Sequence, residues 1–552
     1  MTSLPSRVAA TLAGSVCCFA GLAHAYEFTP SEDWKLNFDN TLQYDLGMRA
    51  QGPNANIQNS PFWQEGEYKF PKAGDIVTNQ VSDLVELQAI YQGRMGARLS
   101  GSLWKDFAYD SSKIETNPAY TGSTSYLGNK YNDYASTYYQ QGGELLDAFV
   151  FTNTEVADKP TYLKAGRLSE YWGNALFFGF SNIAYSQQPI DFAKAFAQPG
   201  SEVKELFLPR TQVSVSTELT PNLSVSAQYF FEYEPDLFPE AGTYLGFNDF
   251  LFKGPNQPGY LANYGITGIA GMVRPKNVNN NFGVKVNWSP DWAAGDMGFY
   301  YRRFDEVMPW MFLVNKDNVL QDPFAQGVTL LGFSYERAFG ELSTGLEVNR
   351  RIHTALSTGG FSGLGVGGTD VGVKGDLDNV IANGFLQLGG TPLWDTGILL
   401  GEFSFTHLDS VTSNQQWYNG VGSGYAGCDS QGIKNGCATK NALAVAVLFD
   451  PQWLQVIPGI DLDAPMSLTW GIAGNPAYAA GSFYAQNSQI YSVGIRATYH
   501  AATTLALTYT GYHWQPNSQG AGIANGTTWA TYDGAVALND RGWVQLQLKT
   551  SF

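Results

Sequence analysis

The chain has 552 residues, and only 15% of them are charged, against about 25% in a typical soluble domain. It contains 61 Gly and 79 aromatic residues (14 Trp, 31 Tyr and 34 Phe). The formal net charge of -17 disfavours nucleic-acid binding, because contacts to phosphate groups need a basic surface. After residue 25, no run approaches the roughly 20 apolar residues of a membrane-spanning helix; the longest is Ala442 to Phe449.

Residues 1–25 have the features of a secretory signal peptide. Arg7 supplies the positive charge, an apolar and small-residue stretch runs from Val8 to Leu22, and Ala23-His24-Ala25 forms a cleavage site. Lipid attachment at Cys17 is an alternative, but this cleavage site lies beyond that cysteine. We therefore predict export of the protein and a mature chain that comprises residues 26–552.

Apolar and polar residues alternate strictly from Trp34 to Arg49, with Asn40 as the one exception. This is the period of a β-strand, since a helix would repeat every 3.6 residues. The run is longer than the roughly 3–10 residues of a usual soluble strand, and it suits a tilted strand that crosses a membrane. One face of the strand is apolar, as shown by Leu36, Phe38, Leu42, Tyr44, Leu46 and Met48.

The same pattern recurs along the chain. Alternating segments lie at 85–92, 95–103, 213–219, 223–233, 282–288, 331–335, 342–348, 491–499 and 505–511. Short turns alternate with long connections, which lie at 50–80, 110–142, 242–280, 355–380 and 411–440. Short turns at one end and long loops at the other are typical of outer-membrane barrels. We predict an all-β protein, an antiparallel transmembrane outer-membrane β-barrel with an even number of roughly 14–18 strands, and no cofactor.

The last alternating segment ends on an aromatic residue, Phe552, after Val544, Leu546, Leu548 and Thr550 on the same face. This ending resembles the assembly signal of bacterial outer-membrane barrels, whose insertion machinery recognises a final aromatic residue. The resemblance implies that Phe552 binds the barrel-insertion machinery. The apolar faces of the strands are expected to contact outer-membrane lipids.

Residues 161–210 are a candidate inserted constriction, because the alternation fails after Gly166. Pro189, Pro199-Gly200 and Pro209 separate two short segments, the first of which Asp191 is suited to cap. A segment of this length cannot face lipid with unpaired backbone groups. We therefore predict that it folds into the barrel lumen or lies at the rim.

Short motifs within this constriction are distinctive: Gly166-Arg167, Trp172-Gly173, Pro189-Ile190-Asp191, Pro199 to Glu205, and Leu208-Pro209. With the following hairpin, they resemble a Gram-negative outer-membrane family catalogued as domain of unknown function 1302, and the likeness in layout covers most of the mature chain. Asn174 departs from the acidic residue expected after Trp-Gly. Members are often encoded beside a periplasmic partner similar to outer-membrane-lipoprotein-sorting proteins and an exporter of the resistance-nodulation-division type. The resemblance implies handling of hydrophobic compounds or lipids across the envelope, with these two proteins as partners.

The candidate functional residues are the charged and apolar side chains of the constriction. A charge in the lumen is costly unless it is paired, which predicts a cluster of Arg167, Asp191, Glu202 and Lys204. These four residues either pin the segment to the wall or contact a ligand. A binding patch or narrowing is predicted at the apolar residues Trp172, Phe177, Phe178 and Phe180.

Cys428 and Cys437 are the only cysteines after the predicted signal peptide. Exported proteins pass through an oxidising compartment, so we predict a disulfide between them. A zinc site is disfavoured, because two thiolates without a nearby histidine do not complete a tetrahedral shell.

Catalytic signals are weak. Gly363 to Gly368 matches a dinucleotide-binding motif by letter but lies in a glycine-rich loop, and no Gly-x-Ser-x-Gly motif is present. We predict a non-enzymatic, porin-like channel for a small hydrophobic or lipid-like compound. The alternatives are a structural or adhesive surface barrel, and an outer-membrane hydrolase that uses one of His353, His407, His500 or His513.

Overall fold

The structure, a computed structural model, describes residues 26–197, 206–359, 370–424, 428, 432–516, 518–523, 526–529 and 535–552. The predicted signal peptide therefore lies outside the described residues. Within the described part of the chain, eighteen antiparallel strands form a closed wall. The strands are β1 (Trp34–Arg49), β2 (Ile76–Tyr91), β3 (Met95–Asp106), β4 (Gln141–Val156), β5 (Lys159–Leu168), β6 (Arg210–Thr220), β7 (Leu223–Phe230), β8 (Phe282–Trp288), β9 (Asp296–Phe304), β10 (Val328–Phe339), β11 (Leu342–Ala355), β12 (Lys374–Leu388), β13 (Thr396–Ser413), β14 (Asn441–Ile457), β15 (Met466–Ala473), β16 (Gln489–Tyr499), β17 (Thr503–His513) and β18 (Trp543–Ser551).

Each wall strand pairs with its neighbours in chain order, and a seam between β1 and β18 closes the ring. At this seam, the register runs from Thr41 opposite Ser551 to Arg49 opposite Trp543. Asn40 and Phe552 then exchange backbone hydrogen bonds of 2.8 and 2.9 Å. The predicted all-β, antiparallel barrel is confirmed, and its strand number is even and at the top of the predicted range.

Alternation along each strand divides the wall into two faces. On β1, Asp45 and Arg49 are buried inside the barrel, whereas Met48 is exposed outside. The outer face carries a continuous set of exposed apolar side chains, including Leu87, Leu99, Leu103, Val150, Val284, Phe299, Leu331, Val348, Phe403, Val447, Val493, Leu505 and Leu546. An apolar belt outside and polar groups inside are the arrangement of a barrel that spans a membrane.

Connections between the strands are short at one end of the barrel and long at the other. Ala157 and Asp158 make one of the short turns, and both adopt positive φ angles of 52° and 58°, which a two-residue hairpin turn of type I′ requires. The longest connection, 231–281, joins β7 to β8. We refer to these two ends as the short-turn end and the long-loop end.

Short helices and extra strands lie within the long connections or beside the wall. The α-helices are α1 (Ala55–Gln58), α2 (Glu65–Lys69), α3 (Asp133–Tyr139) and α4 (Phe192–Ala197). Single 3₁₀ turns occur at Phe107–Tyr109, Pro118–Tyr120, Leu127–Asn129, Gly259–Tyr264, Asp291–Ala293, Gln415–Trp417, Gly432–Asn435, Gly481–Tyr484 and Ala535–Asp540. The additional strands are Tyr26–Ser31, Gly268–Val273, Leu313–Val314, Val319–Pro323, Ile460–Asp463, Ser518–Ile523 and Gly526–Trp529. None of the helices in the described residues is long and apolar enough to cross a membrane.

The hydrophobic core lies inside the barrel, where the long connections pack together. Its centre is a stack of aromatic rings. Phe192 lies 4.6 Å from Phe180 and 5.0 Å from Phe238, and Phe238 lies 4.3 Å from Phe252, measured between ring centroids. Such stacked pairs add to the stabilisation that burial provides. The interior of the barrel is therefore largely filled at the level of this stack.

The predicted disulfide is present in the connection between β13 and β14. The Cα atoms of Cys428 and Cys437 are 5.7 Å apart, and both residues are fully buried.

Candidate functional site

The lumen segment is defined here as residues 169–209, of which the structure describes 169–197 and 206–209. It connects β5 to β6, and Leu168 and Arg210 are directly opposite each other in that pair, so its two ends meet the wall at one point. Trp172 is buried near its start and packs against Tyr300 of β9, with ring centroids 6.3 Å apart. The segment then descends to a tip at Asn174 to Phe178, close to the short-turn ends of β10 and β11.

Two buried glutamates of the wall hold this tip by its backbone. Glu347 on β11 accepts hydrogen bonds from the backbone N–H groups of Asn174, of Ala175 at 2.9 Å and of Ile183 at 2.9 Å. A buried carboxylate is costly unless it is hydrogen-bonded, and charge-assisted hydrogen bonds are the strong ones. The carboxylate and the three amides therefore satisfy each other.

Glu402 on β13 does the same for the next part of the tip. It accepts from the N–H of Leu176 and, at 2.8 Å each, from those of Phe177 and Phe178. Asn383 of β12 supports this carboxylate with a side-chain hydrogen bond of 3.1 Å. We call Glu347 and Glu402 the carboxylate clamp, because together they bind six backbone amides of the lumen segment.

Buried arginines hold the limb that rises from the tip. Arg302 of β9 donates to the carbonyl oxygens of Ile183 at 2.6 Å and Tyr185 at 2.7 Å. The guanidinium carbon of Arg351 lies 4.2 Å from the centre of the Tyr185 ring, and the Tyr185 hydroxyl donates to Glu306 at 3.0 Å. The rising limb is thus held through its carbonyl groups and the tip through its amides.

Arg167 and Asp191, the two members of the predicted charge cluster that the structure describes, have different partners. Arg167 pairs with Glu232 at 3.1 Å. Asp191 accepts from the Tyr138 hydroxyl at 3.1 Å and caps α4 through the N–H of Lys194 at 2.9 Å. Burial raises the pKa of Asp191, and these hydrogen bonds oppose the rise. The other two members, Glu202 and Lys204, lie outside the described residues.

Most of the predicted apolar residues of the lumen segment are buried against the wall or in the aromatic stack. Phe178 is fully buried against Ile381, Ala444 and Tyr484, and Phe180 belongs to the aromatic stack described above. Phe177 is partly buried beside the same wall cluster. Their role as a ligand-binding patch stays a prediction.

A cavity of about 810 Å³ lies beside the lumen segment, on the side of the barrel formed by β1 to β4 and β18. Its lining includes α4 and the residues around it on the segment. Uncharged polar and aliphatic side chains make up more than half of the lining, and six carboxylates and seven aromatic residues lie among them: Asp45, Glu86, Asp106, Glu144, Asp147, Asp191, Trp104, Tyr109, Tyr138, Tyr139, Phe207, Tyr244 and Trp543. We call this space the lumen cavity.

The lumen cavity adjoins a second space near the short-turn end. That space has a volume of about 470 Å³, and its wall includes the turn residues Ala501 and Ala502. Gln547 and Lys549 of β18 line both spaces. The lumen cavity therefore has its nearest outlet toward the short-turn end.

Toward the long-loop end, a layer of aromatic rings covers the lumen cavity. Phe70 contacts Tyr109 and Tyr244 edge-on at 5.5 and 5.7 Å, Tyr139 lies 5.5 Å from Tyr109, and Trp543 lies 6.4 Å from Tyr244. We call these five residues the aromatic roof. They come from three long connections and the start of β18, so the roof joins parts of the chain that are far apart in sequence.

A fully buried ion network adjoins the roof. Glu67 of α2 lies 2.6 Å from a guanidinium nitrogen of Arg49 and 2.6 Å from one of Arg541. Arg541 also donates to the Tyr244 carbonyl at 2.9 Å, and the Arg49 guanidinium lies over the Tyr244 ring at 5.7 Å. This network ties the roof to β1 and to the residues that directly precede β18.

The sequence analysis missed the carboxylate clamp, the arginines and the lumen cavity. Glu347 and Glu402 occupy lumen-facing positions of alternating strands, which is the one sequence signal that marks them. Their partners are backbone amides, which every residue has and which no sequence pattern distinguishes.

Comparisons with known proteins place the chain in a family. Solved structures that it resembles include Acinetobacter baumannii OccAB2 (11% identity, TM-score 0.44, covering 94% of this chain and 98% of that chain) and a BenF-like porin from Pseudomonas fluorescens Pf-5 (9%, 0.42, 94% and 98%). Another is Pseudomonas aeruginosa OccK2 (OpdF) in complex with glucuronate (11%, 0.42, 94% and 97%). These likenesses are too distant to assign a substrate, and no curated protein matches the chain. The family described as protein of unknown function (DUF1302) matches residues 6–552, and the chain belongs to that family.

Proposed function

We propose that the protein is an outer-membrane channel for a small compound, in which the lumen segment restricts passage. The observation that carries this proposal is the lumen cavity of about 810 Å³, which lies between the wall and the lumen segment and is closed by the aromatic roof. Barrels of 16–18 strands enclose a lumen wide enough for an aqueous channel. Here the segment fills one side of that lumen and leaves space on the other.

The route we propose runs along β1 to β4 and β18. Short turns lie on the periplasmic side in barrels of this kind, so the outlet past Gln547 and Lys549 faces the periplasm. The aromatic roof separates the cavity from the medium, and its rings must move apart for a solute to pass. The carboxylate clamp fixes the tip against the opposite wall, so that the lumen segment blocks that side of the lumen.

We further propose that the compound has a hydrophobic or lipid-like body and that it is exchanged with an envelope transport system. The aromatic rings of the lining supply apolar surface for such a body. The partners in this proposal are the periplasmic protein and the resistance-nodulation-division exporter that the family resemblance implies. No chemistry on the compound is part of the proposal.

Planar-bilayer conductance tests the channel directly. The intact protein is compared with a variant in which a short Asn-Gly turn joins Leu168 to Arg210, because these two residues are opposite each other and suit a hairpin connection. We expect near-silence from the intact protein and steady conductance from the variant. Large, steady conductance of the intact protein, or a silent variant, would contradict the restricted-channel proposal.

A further inference from the structure

We propose that the lumen cavity binds an organic cation with an apolar body, such as an aromatic or alkyl quaternary ammonium compound. This inference rests on the proposed channel and names the class of compound that the channel accepts. The evidence for it is the charge of the cavity lining, the ion-pair and hydrogen-bond partners of the charged groups, and the aromatic surface between them.

The charge of the lining is predominantly negative, and Lys194 is a lining cation whose charge acts on Asp45, Glu144 and Asp191. Asp45, Asp106, Glu144 and Asp191 form no ion pair in the described part of the chain. Two further lining carboxylates, Glu86 and Asp147, share Arg98 as an ion-pair partner. Lys194 and Lys549 are the lining cations among the described residues. A cavity of this composition attracts cations and disfavours anions.

Three of these four carboxylates, Asp45, Asp106 and Asp191, are held in place by neutral donors. Asp45 accepts from the side-chain amides of Gln43 at 2.6 Å, Gln545 at 2.8 Å and Gln547 at 2.9 Å. These hydrogen bonds fix and support the carboxylate, but they bring no positive charge to it. The negative charge therefore remains available to a cation in the cavity.

Of the four carboxylates, Glu144 is the most available to bind a cation. It projects from β4 into the cavity, and it has neither a side-chain hydrogen bond nor an ion pair in the described part of the chain. Asp191 lines the same cavity, and its carboxylate is oriented by the Tyr138 hydroxyl and the Lys194 amide. A cation between Glu144 and Asp191 would meet two carboxylates.

Aromatic rings provide the second half of the recognition. Trp104, Tyr138 and Tyr139 lie on the same side of the cavity as Glu144, and Tyr138 packs against both other rings at 6.2 and 5.1 Å. Aromatic faces attract quaternary ammonium groups through the ring quadrupole, and they cover an apolar body at the same time. This combination of carboxylates and rings selects a compound that is both positively charged and apolar.

A metal ion fits the cavity poorly. In the part of the chain that the structure describes, no three His, Cys, Asp or Glu side chains come together closely enough to hold one. The carboxylates are instead spread over a space of about 810 Å³, within the usual range of pockets for drug-sized organic molecules. The dispersed charges therefore match an extended molecule.

The test is equilibrium binding of benzyltrimethylammonium to the full-length protein in an uncharged detergent, followed by Trp fluorescence and by calorimetry. Benzenesulfonate, of similar size but negative charge, is the matched ligand. We expect saturable binding of the cation and binding of the anion at least about tenfold weaker. Absence of saturable cation binding, or equal affinity for both ions, would overturn the inference.

Variants locate the site. Glu144→Gln removes one charge and leaves the shape of the side chain, and we expect cation affinity to fall about tenfold. Asp45→Asn, which keeps an acceptor for the glutamine amides, is expected to act in the same direction. Glu155→Gln, at the exposed short-turn end of β4, is the control and should bind as the unaltered protein does. Unchanged affinity in both cavity variants would place the cation elsewhere and overturn the inference.

The two proposals fail separately. If removal of the lumen segment produces conductance but the cation neither binds nor blocks it, the channel stands and the ligand class is wrong. If the intact protein binds the cation through Glu144 while the segment variant stays silent, the binding site stands and the channel is wrong.

Discussion

Glu402 of β13 accepts the backbone N–H of Phe178 at 2.8 Å, and the preceding two amides of the lumen segment converge on the same carboxylate. The wall thus holds the segment through main-chain groups. This contact is the most direct target for a change that would release the tip without altering the segment itself.

Replacement of this glutamate should open the lumen. We expect Glu402→Ala to leave three N–H groups, of which that of Phe178 is buried and the other two are partly buried, without this acceptor and to cost about 3 kcal/mol of the free energy that holds the tip in place. Single-channel recording should show more frequent conductance steps than the unaltered protein gives. Glu341→Ala, at an exposed position in a short turn, is the control and should leave the recording unchanged. Identical traces for both variants would contradict the role of the clamp.

The buried network at the seam should be sensitive to the loss of a single charge. Glu67→Gln removes the carboxylate that both Arg49 and Arg541 pair with, and leaves Asp540 and Asp249 as nearby negative groups. Breaking a buried ion pair in this way typically costs about 3–5 kcal/mol. Thermal unfolding followed by near-UV circular dichroism should therefore shift to a lower temperature. Lys113→Gln, which breaks the exposed pair with Glu115, should have little effect.

The attachment of the lumen segment should weaken as the pH rises. Burial raises the pKa of Asp236 to about 8, and this residue accepts the Ile190 N–H at 2.7 Å. The folded protein thus holds the proton more tightly than the unfolded chain, so this contribution to stability is complete below about pH 4 and is lost as the pH rises through about 8. Urea unfolding measured from pH 5 to 9 should show stability falling up to about pH 8 and no further fall from this group above it.

An isosteric variant isolates the titration of this group. Asp236→Asn keeps an oxygen for the Ile190 amide but cannot ionise, so it should flatten the pH dependence. Asp317→Asn, at an exposed position, should retain the full dependence. A decline of the same size in the Asp236 variant would assign the pH effect to other groups.

Placement in the membrane is tested by arginine substitutions on the outer surface. Leu99 lies on the outer face of β3 and is 47% exposed, whereas Leu127 lies in a long connection and is 72% exposed. We expect Leu99→Arg to destabilise the protein in phospholipid vesicles by about 2–4 kcal/mol, the cost of an arginine near the bilayer midplane. Leu127→Arg should cost little, because its side chain remains in water. Equal costs would contradict a lipid-facing belt.

Predictions from the sequence match the structure for features that depend on a single segment of the chain. The alternation from Trp34 to Arg49 predicts β1 with the same limits, because each residue of a wall strand meets either lipid or the lumen. The failure of alternation after Gly166 likewise marks a segment that the structure places inside the barrel. These signals are local, and they need no knowledge of the rest of the chain.

The site could not be predicted in this way, because its contacts are between distant parts of the chain. Arg167 and Asp191 belong to one short stretch and invite pairing, yet Arg167 points to Glu232 of the next connection. The lumen cavity combines groups from five wall strands and the segment. The closure and strand register of the barrel bring these groups together. No single stretch of the sequence determines either of them.

The seam has a kinetic consequence. Wall strands that are consecutive in the chain pair as neighbours, but the β1–β18 pair joins residues 41–49 to 543–551, the most distant pairing in sequence and the one with the largest loop-closure entropy to overcome. We therefore expect the sheet to grow by addition of neighbouring strands and the seam to form last. Until then, β1 and β18 present unpaired edges that could add a strand from another chain. Before the seam closes, the barrel is therefore most prone to pair wrongly with another chain.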